Sequence, residues 1–484
     1  LGLFQQTFPQ SEAVDCAHDA LIANLSQDWG LAALASLILS IDLGSTQFKA
    51  GVFTLAADGV PVQLGVAAHE LVYAPAPADE VELECAVIQA ALRGVIGGAL
   101  NEAHVNVGQI QAIAITSQAQ TFTIADTQGQ PRGRFISWQD TRARAACADL
   151  QRRPEFASFQ EHASFCSLIP NLLLCQLRHL RAMNPRQLGS ADHVLPLPTF
   201  LVRELTGESW LDDNLAAMSG LFSLKQETWW PAALASCGLT VQQLPQICAS
   251  GTVAAHTTRA AERYGLGAGI PVMLAGNDQT AGAYGAQVHR HHALLLTLGT
   301  ALVAYTCSNR AVAPQPALIR GPYPGGLFYA MEADGGGGSL IGWACGVLEQ
   351  CPDYDAFFRA AEASPAGSLG LVFNPDLAAT LGRWENIRSV HQLPHFARAV
   401  LESLVRRHVA MAHDMRVDLA QTPVLIAGGG SHRPLWVRLL GEALQQPVRT
   451  VSADPLLGAA SLACALLEPA VTGADPNRPA RNRN

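Results

Sequence analysis

Charge is scarce in this chain. Only 15% of its 484 residues are Asp, Glu, Lys or Arg, and the formal net charge is −9. There is no basic surplus to draw it to nucleic acid or to an anionic membrane. Its eleven cysteines form no C-x-x-C pair and no zinc-ligand spacing, and an odd count in a chain this long reads as reduced thiols in a cytoplasmic protein. Long apolar runs are missing too. The longest near the start, Leu31 to Ile41, is too short for a bilayer and has no basic flank, so neither a membrane span nor a signal peptide is expected. His289, His291 and His292 surround Arg290, whose cation disfavours a metal, and a solvated turn is expected there. What the chain does have is apolar residues, 49% of the total, and enough length for two domains with a core each.

The organising stretch runs from Pro271 to Gly285. A buried-strand pattern, Val272 to Ala275, leads into Gly276-Asn277-Asp278, and a small-residue helix follows from Gln279. An acid at that corner sits at the carboxyl end of a strand, where ligand crevices of open α/β sheets lie. Asp278 either takes a proton from a substrate hydroxyl as general base or merely caps the helix.

Upstream, Ser36 to Asp42 reads as a buried strand and Phe48 to Phe53 as its hairpin partner, with Gly44-Ser45-Thr46 in the turn. Backbone N–H groups and hydroxyls of such a turn can cradle phosphate oxygens. Asp42 would repel phosphate directly and suits Mg2+ held through water. An ordinary Asx-type hairpin is the alternative. Val62 to Val72 extends the sheet, Asp79 to Ala103 reads as a helix, and Ile110 to Thr116 as another buried strand. The polar stretch Ser117-Gln118-Ala119-Gln120-Thr121 then offers hydrogen bonds to a hydroxylated ligand. Trp138 offers either an aromatic wall for a sugar's C–H face or plain core packing. Asp140 and Arg142 pair with each other or bind polar substrate groups.

Residues 143–235 read as mostly helical, with Pro170 at one helix start, a helix from Pro196 to Gly207, and a polar turn at Asp212-Asp213-Asn214. Ala293 to Tyr305 repeats the shape of the first hairpin around Gly299-Thr300, which suggests a duplicated fold with one phosphate loop per half. Glu332 to Trp343 is a glycine-rich turn opening a helix, and its missing side chains let a ligand approach unless it is only a flexible loop. Leu393 to Met415 is a long helix. Thr422 to Ala427 is a strand that ends in Gly428-Gly429-Gly430, and Gly458-Ala-Ala460 begins a tightly packing helix. An amphipathic helix is expected at Ser11 to Leu25, and a polar disordered tail after Leu467.

Five ordered segments carry a resemblance: Asp42 to Lys49; Ile115 to Gln120 with Trp138-Gln-Asp-Thr-Arg142; Gly276-Asn-Asp-Gln-Thr-Ala-Gly282; Leu298-Gly-Thr300; and Ala427 to Arg433 with Gly458 to Ala460. Together they resemble the FGGY family of carbohydrate kinases, which includes xylulokinase and glycerol kinase. The resemblance implies an α/β fold of two actin-like (ribonuclease H-like) domains, with mixed sheets and flanking helices around a cleft. It places an N-terminal extension at 1–37, a sugar-binding domain at 38–287, a nucleotide-binding domain at 288–467 and a tail at 468–484. It implies ATP and Mg2+ as cofactors and a small-molecule sugar as substrate, a ketose such as D-xylulose first and a polyol such as glycerol next. It also implies a cytoplasmic enzyme, with a homodimer as the expected assembly. Asp278 would be the catalytic base and Asp42 the metal residue. Gln118, Gln120, Trp138, Asp278 and Gln279 would surround the sugar. Gly44, Ser45, Thr46, Gly299, Thr300, Gly338, Gly429 and Arg433 would line the ATP site. The chain departs from its relatives beside Gln118, where xylulokinases carry Met-His and glycerol kinases Arg-Glu but this chain has Ala119-Gln120. Gln279 and Trp138-Gln-Asp-Thr-Arg lean towards glycerol kinase, whereas the short later loops lean towards a pentulose kinase.

Overall fold

The computed structural model describes residues 37–56, 60–183, 189, 192–376 and 380–467. The helix expected at Ser11 to Leu25 and the tail after Leu467 lie outside the described residues.

Two six-stranded sheets dominate. In the first, β1 (Leu37–Leu43), β2 (Gln47–Leu55), β3 (Pro61–Glu70), β4 (Ile110–Ser117), β5 (Thr252–His256) and β6 (Pro271–Asn277) lie in the order β5-β6-β4-β1-β2-β3. In the second, β7 (Leu294–Leu298), β8 (Leu302–Ser308), β9 (Ile319–Tyr323), β10 (Leu327–Asp334), β11 (Val424–Ala427) and β12 (Val448–Thr450) lie in the order β9-β10-β8-β7-β11-β12. The logic is the same in both. A hairpin is extended by an antiparallel strand on one side, and its first strand pairs in parallel with a later strand on the other. The duplication read from the two hairpins is thus a duplication of whole sheets.

Each sheet is covered on both faces, which is why its central strands are near-continuous apolar runs. Leu37, Leu39, Ile41 and Leu43 of β1 pack under helix α1 (Cys85–Glu102), and Ile38 faces the opposite layer with Leu456, Ala460 and Ala463. In β7, Leu294, Leu296 and Leu298 face helix α4 (Leu393–Asp414), and Leu295 faces the other way.

Two helices cross over between the halves. Helix α2 (Asp278–Gly285) follows the first sheet, yet its Ala283 packs with Leu295, Val303 and Leu425 of the second. Helix α5 (Pro455–Leu467) follows the second sheet, yet it packs on Ile38, Ala114 and Met273 of the first. They meet backbone to backbone, and a Cβ placed on Gly458 would lie 1.7 Å from the Ala281 carbonyl oxygen. This meets the expectation of a small-residue helix that packs tightly.

Three readings of the sequence change here. The helix expected from Asp79 begins only at Cys85, because Glu82–Leu83 forms a short strand with Phe135–Ile136. The stretch 143–235 carries several helices, but short strands at His193–Pro196, Trp210–Asp212 and Phe222–Ser223 interrupt them. His289 is not a solvated turn residue: its ring stacks on Tyr284 at 4.3 Å. The helix Leu197–Thr206 ends as expected at Gly207, with φ +82°.

Candidate active site

The carboxyl ends of β6, β7, β11 and β12 meet at one crevice, lined by Asp278, Thr297, Ala427 and Thr450. At the end of β6, Gly276 adopts φ +79° and the chain turns into α2. The cap of α2 is Asn277, whose side-chain oxygen accepts from the Gln279 N–H at 3.0 Å. Asp278 is the first helical residue, so the capping position belongs to its neighbour and its carboxylate stands at the crevice floor. Burial raises its pKa, against hydrogen bonds from the Gln279 N–H and Asn277.

Asp42 lies at the end of β1, facing Lys49 across the hairpin and Thr116 across the parallel pair. It is 7% exposed, and its Oδ1 has no hydrogen-bond partner. Its pKa is raised to about 8, first by burial and next by Asp278, with Lys49 pulling the other way. A buried, partnerless carboxylate oxygen held beside a second acid is a donor that a hard cation satisfies, so Asp42 fits Mg2+.

The loop Gly44 to Thr46 is held from its rear. Tyr73 Oη donates to the Ser45 carbonyl at 2.6 Å, and Gln118 Nε2 donates to the Gly44 carbonyl at 3.0 Å. Gln118 Oε1 accepts from Thr121 Oγ1 at 3.0 Å, and that hydroxyl accepts the Trp138 N–H at 3.1 Å. One chain of bonds therefore fixes the distance between the loop and Trp138. Both ends of the Gln118 amide are used by the protein. Gln120 is in the same situation, donating to the Met218 carbonyl and accepting from the Leu173 N–H. Trp138 itself is 37% exposed, so it is not a core residue. Asp140 and Arg142 pair with each other at 2.6 Å.

In the second half, the tip Gly299-Thr300 is clasped by glycines. The N–H groups of Gly337 and Gly338, at the start of helix α3 (Gly338–Val347), donate to the Thr300 and Gly299 carbonyls at 3.0 and 2.8 Å. A Cβ on Gly337 would lie 2.7 Å from the Gly299 oxygen, and one on Gly428 2.8 Å from the Leu298 oxygen. The close approach that these glycines permit is thus first of all the hairpin's own. Beyond it, a cavity of about 610 Å³ is lined by Lys49, Asp278, Gln279, Thr297, Gly428 and His432. His432 also borders a second cavity of about 350 Å³ with Arg433, Asp355 and Phe358. Arg433 pairs with Asp355 and lies 5.2 Å over the Phe358 ring. Gly429 is exposed at the turn between the two cavities.

The sequence reading missed the residues that hold the Asp278 corner. Asp212-Asp213-Asn214 is not a mere turn: Asp212 caps the helix Asp213–Met218. Asn214 is fully buried. Its Oδ1 accepts the Asn277 N–H at 3.0 Å, and its Nδ2 donates to Thr280 Oγ1 at 3.1 Å and to the Pro322 carbonyl at 2.8 Å. Burial raises Asp212 to about 6 and Asp213 to about 7, the latter with help from Asp212. An acid and an amide just before Leu-Ala-Ala-Met are an N-cap signal, but the grip on residue 277 leaves no local trace. Lys49, to which the sequence gives no role, lines the cavity with Asp278.

The profile of the FGGY family of carbohydrate kinases matches the chain in both its parts, the N-terminal domain over residues 37–285 and the C-terminal domain over 294–467. The chain belongs to this family. This FGGY kinase is 27% identical over 469 residues to a glycerol kinase of Janthinobacterium sp. (strain Marseille), covering 89% of this chain and 90% of that one. It is 26% identical over 359 residues to an L-fuculokinase of Salmonella typhi, covering 71% and 74%. In fold it is similar to the crystal structure of xylulose kinase from Rhodospirillum rubrum, with a TM-score of 0.80, 22% identity, and 90% and 91% of the two chains covered. The fold is therefore the two-domain actin-like one, and the activity is that of a carbohydrate kinase. Kinases of this family use ATP, generally with Mg2+. No helix among the described residues is long and apolar enough to cross a membrane.

Proposed function

We propose that this kinase transfers the terminal phosphoryl group of ATP to a hydroxyl of a ketose such as D-xylulose, with Asp278 as general base. The observation that supports this most directly is the division of labour at the β6–α2 corner. Asn277 takes the cap, Asp278 shares the Gln279 N–H through its Oδ1 at 2.8 Å, and its carboxyl, with its pKa raised, lines a cavity with Lys49. A positioned base of this kind contributes about 10²–10⁴-fold.

Asp278 holds the sugar hydroxyl and accepts its proton at a carboxylate oxygen. Trp138 covers a C–H face of the ring, and Gln279 hydrogen-bonds beside the base. Gln118 and Gln120 shape the sugar's wall, since their amides set the loop and the helix around it. Lys49 and the N–H groups of Gly44 to Thr46 face the transferred phosphoryl group, and Gly299 and Thr300 the phosphates behind it. Gly338, Gly429 and Arg433 border the adenosine. Asp42 holds Mg2+, which when bound supplies the positive charge that phosphoryl transfer needs. Closure of the two halves excludes water from the reaction.

A polyol such as glycerol is the second reading, favoured by Gln279 and by Trp138-Gln-Asp-Thr-Arg142. A panel of ketoses and polyols with Mg-ATP, followed by coupled ADP release, separates the two. ATP hydrolysis at full rate without any sugar would refute both. Asp278→Ala is expected to abolish sugar-dependent turnover while nucleotide binding remains, and substantial residual turnover would remove Asp278 from the role of base.

A further inference from the structure

Cys345 lies in the last turn of helix α3, and Cys351 follows after the loop Gly346 to Gln350. Their sulfurs are 3.6 Å apart and unbonded. Cys345 is half-buried, and its hydrogen bond to the Asp353 carbonyl lies at the surface, whereas Cys351 is 2% exposed. One thiol is thus open to an incoming reagent and the other stands behind it. Cys147 and Cys175 also hydrogen-bond to each other, but both are buried and offer no such entry. The chain between Cys345 and Cys351 has room to adjust. Gly346, Val347, Glu349 and Gln350 are exposed, and a Cβ on Gly346 would meet nothing within 4 Å.

The pair is tied to the next helix through Asp353. Cys345 Sγ donates to the Asp353 carbonyl at 3.5 Å, and Cys351 Sγ lies 4.0 Å from the same oxygen. Asp353 caps the helix Tyr354–Glu362, its side chain accepting the Ala356 N–H at 2.7 Å. That helix carries Asp355 and Phe358, which line the cavity of about 350 Å³ with Arg433. Its first residue, Tyr354, donates through Oη to the Gly338 carbonyl at 2.8 Å, and the Gly338 N–H in turn clasps the Gly299 carbonyl at the hairpin tip. The two sulfurs therefore sit where α3 is joined to the helix that lines this cavity.

We propose that Cys345 and Cys351 form a reversible disulfide that weakens ATP binding, the effect on ATP resting on the reading that puts adenosine beside Arg433. The co-reactant is a small-molecule disulfide. Cys345 gives its proton to solvent, and its thiolate attacks one sulfur of that disulfide and expels the other as a thiolate, which takes up a proton. Cys351 then loses its proton in the same way, attacks the mixed disulfide at the Cys345 sulfur and expels the second thiol. Two protein thiols are oxidised, and one small disulfide is reduced to two thiols. The new bond draws the sulfurs from 3.6 Å to about 2.0 Å. It carries no S–H, so the Asp353 carbonyl loses its donor, and the capped helix is released together with Asp355 and Phe358. Burial pushes the Cys345 thiol up to about 12, with Cys351 and Asp353 adding to the effect. The thiolate is therefore scarce and the exchange slow, so the pair answers a lasting oxidising shift and not a brief one.

Prolonged incubation of the full chain with oxidised glutathione, followed by digestion and mass spectrometry, reads the bond directly. Peptides joined at Cys345 and Cys351, lighter by two hydrogens than the reduced pair, are expected. Isothermal titration of the desalted protein with Mg-ATP should then give a Kd raised about threefold or more, and dithiothreitol should restore it. Coupled ADP release at ATP concentrations below KM, with the sugar chosen by the panel above, should fall by the same factor. Cys351→Ser keeps the shape without the bond, so its Kd for ATP should not respond; should it fail to fold by circular dichroism, Cys345→Ser serves in its place. Arg433→Ala in the reduced protein tests the adenosine reading separately, since an unmoved Kd there would take adenosine out of this cavity whatever the sulfurs do. Absence of the joined peptides, a joined pair with unmoved ATP affinity or unmoved turnover, or an equal response in the serine variant would overturn the proposal.

Discussion

Replacing Asn214 with alanine tests whether the catalytic corner is held from outside the site. The substitution removes three hydrogen bonds, to the Asn277 N–H, Thr280 Oγ1 and the Pro322 carbonyl. Each bond is worth about 1 kcal/mol net, and an orphaned buried N–H adds about 1–3 kcal/mol, so about 4–6 kcal/mol of stabilisation is lost in all. For a cooperative unit of more than 250 residues this lowers Tm by about 4–12 °C. The functional effect is more diagnostic. Asn277 both receives the bond from Asn214 and caps the helix that begins with Asp278, so its release lets the carboxylate drift. A displacement of about 1 Å is enough to cost about 10–100-fold in kcat. The KM for ATP is expected to stay within about twofold, because no residue bordering the nucleotide cavities bonds Asn214. Steady-state kinetics on the preferred sugar and a thermal melt make the test. A variant that melts several degrees earlier yet keeps the parent's kcat would show that Asn214 supports the fold alone and that the corner holds itself.

Trp138→Ala is expected to raise KM for the sugar about tenfold or more, with KM for ATP unchanged, in initial-rate measurements over both substrates; equal effects on both would place the ring elsewhere. Asp42→Asn is expected to lower activity by about 10²-fold or more and to raise the Mg2+ concentration needed for half-maximal activity, read from a metal titration; an unmoved midpoint would take Asp42 out of that role. His408 is fully buried in α4, and burial lowers its pKa from 6.5 to about 4. A folded pKa below the unfolded one means that the unfolded chain binds the proton first, so stability is full above pH 6.5 and falls as pH drops towards 4. At 1.36 kcal/mol per pKa unit, the parent should lose about 3 kcal/mol relative to His408→Leu over that window. Melting curves of the two proteins from pH 4 to 8 should diverge on the acid side only, and parallel curves would contradict the burial effect.

What the sequence disclosed depended on whether the signal was local. Both hairpins could be read because alternating apolar strands flank short glycine turns, and the Asp278 corner because a buried strand breaks at Gly276. The end of the helix Leu197–Thr206 was legible because Gly207, at φ +82°, marks its stop. Partners from far along the chain were not legible. Val81 and Leu83 fit helical spacing, and only the pairing with Phe135–Ile136, some fifty residues on, makes that segment extended. The glycine-rich turn at Gly335 to Gly338 was read as room for a ligand, but the nearest neighbour of Gly337 is the backbone at Gly299 to Ala301. The amides of Gln118 and Gln120 looked free in a polar stretch, yet each is engaged at both ends, and three of the four partners lie outside the stretch. Asn214 read only as part of a polar turn because all its partners lie beyond residue 276.

The bare contact between α2 and α5 has a bearing on how such a molecule can change over time. Because the Ala281 carbonyl occupies the space where a side chain on residue 458 would begin, even one methyl group there acts as a wedge driven between the two lobes. The crossing has no clearance, so the lobes cannot be shimmed apart there. Drift in either helix is therefore confined to its outward faces, and the contact itself has to stay unadorned.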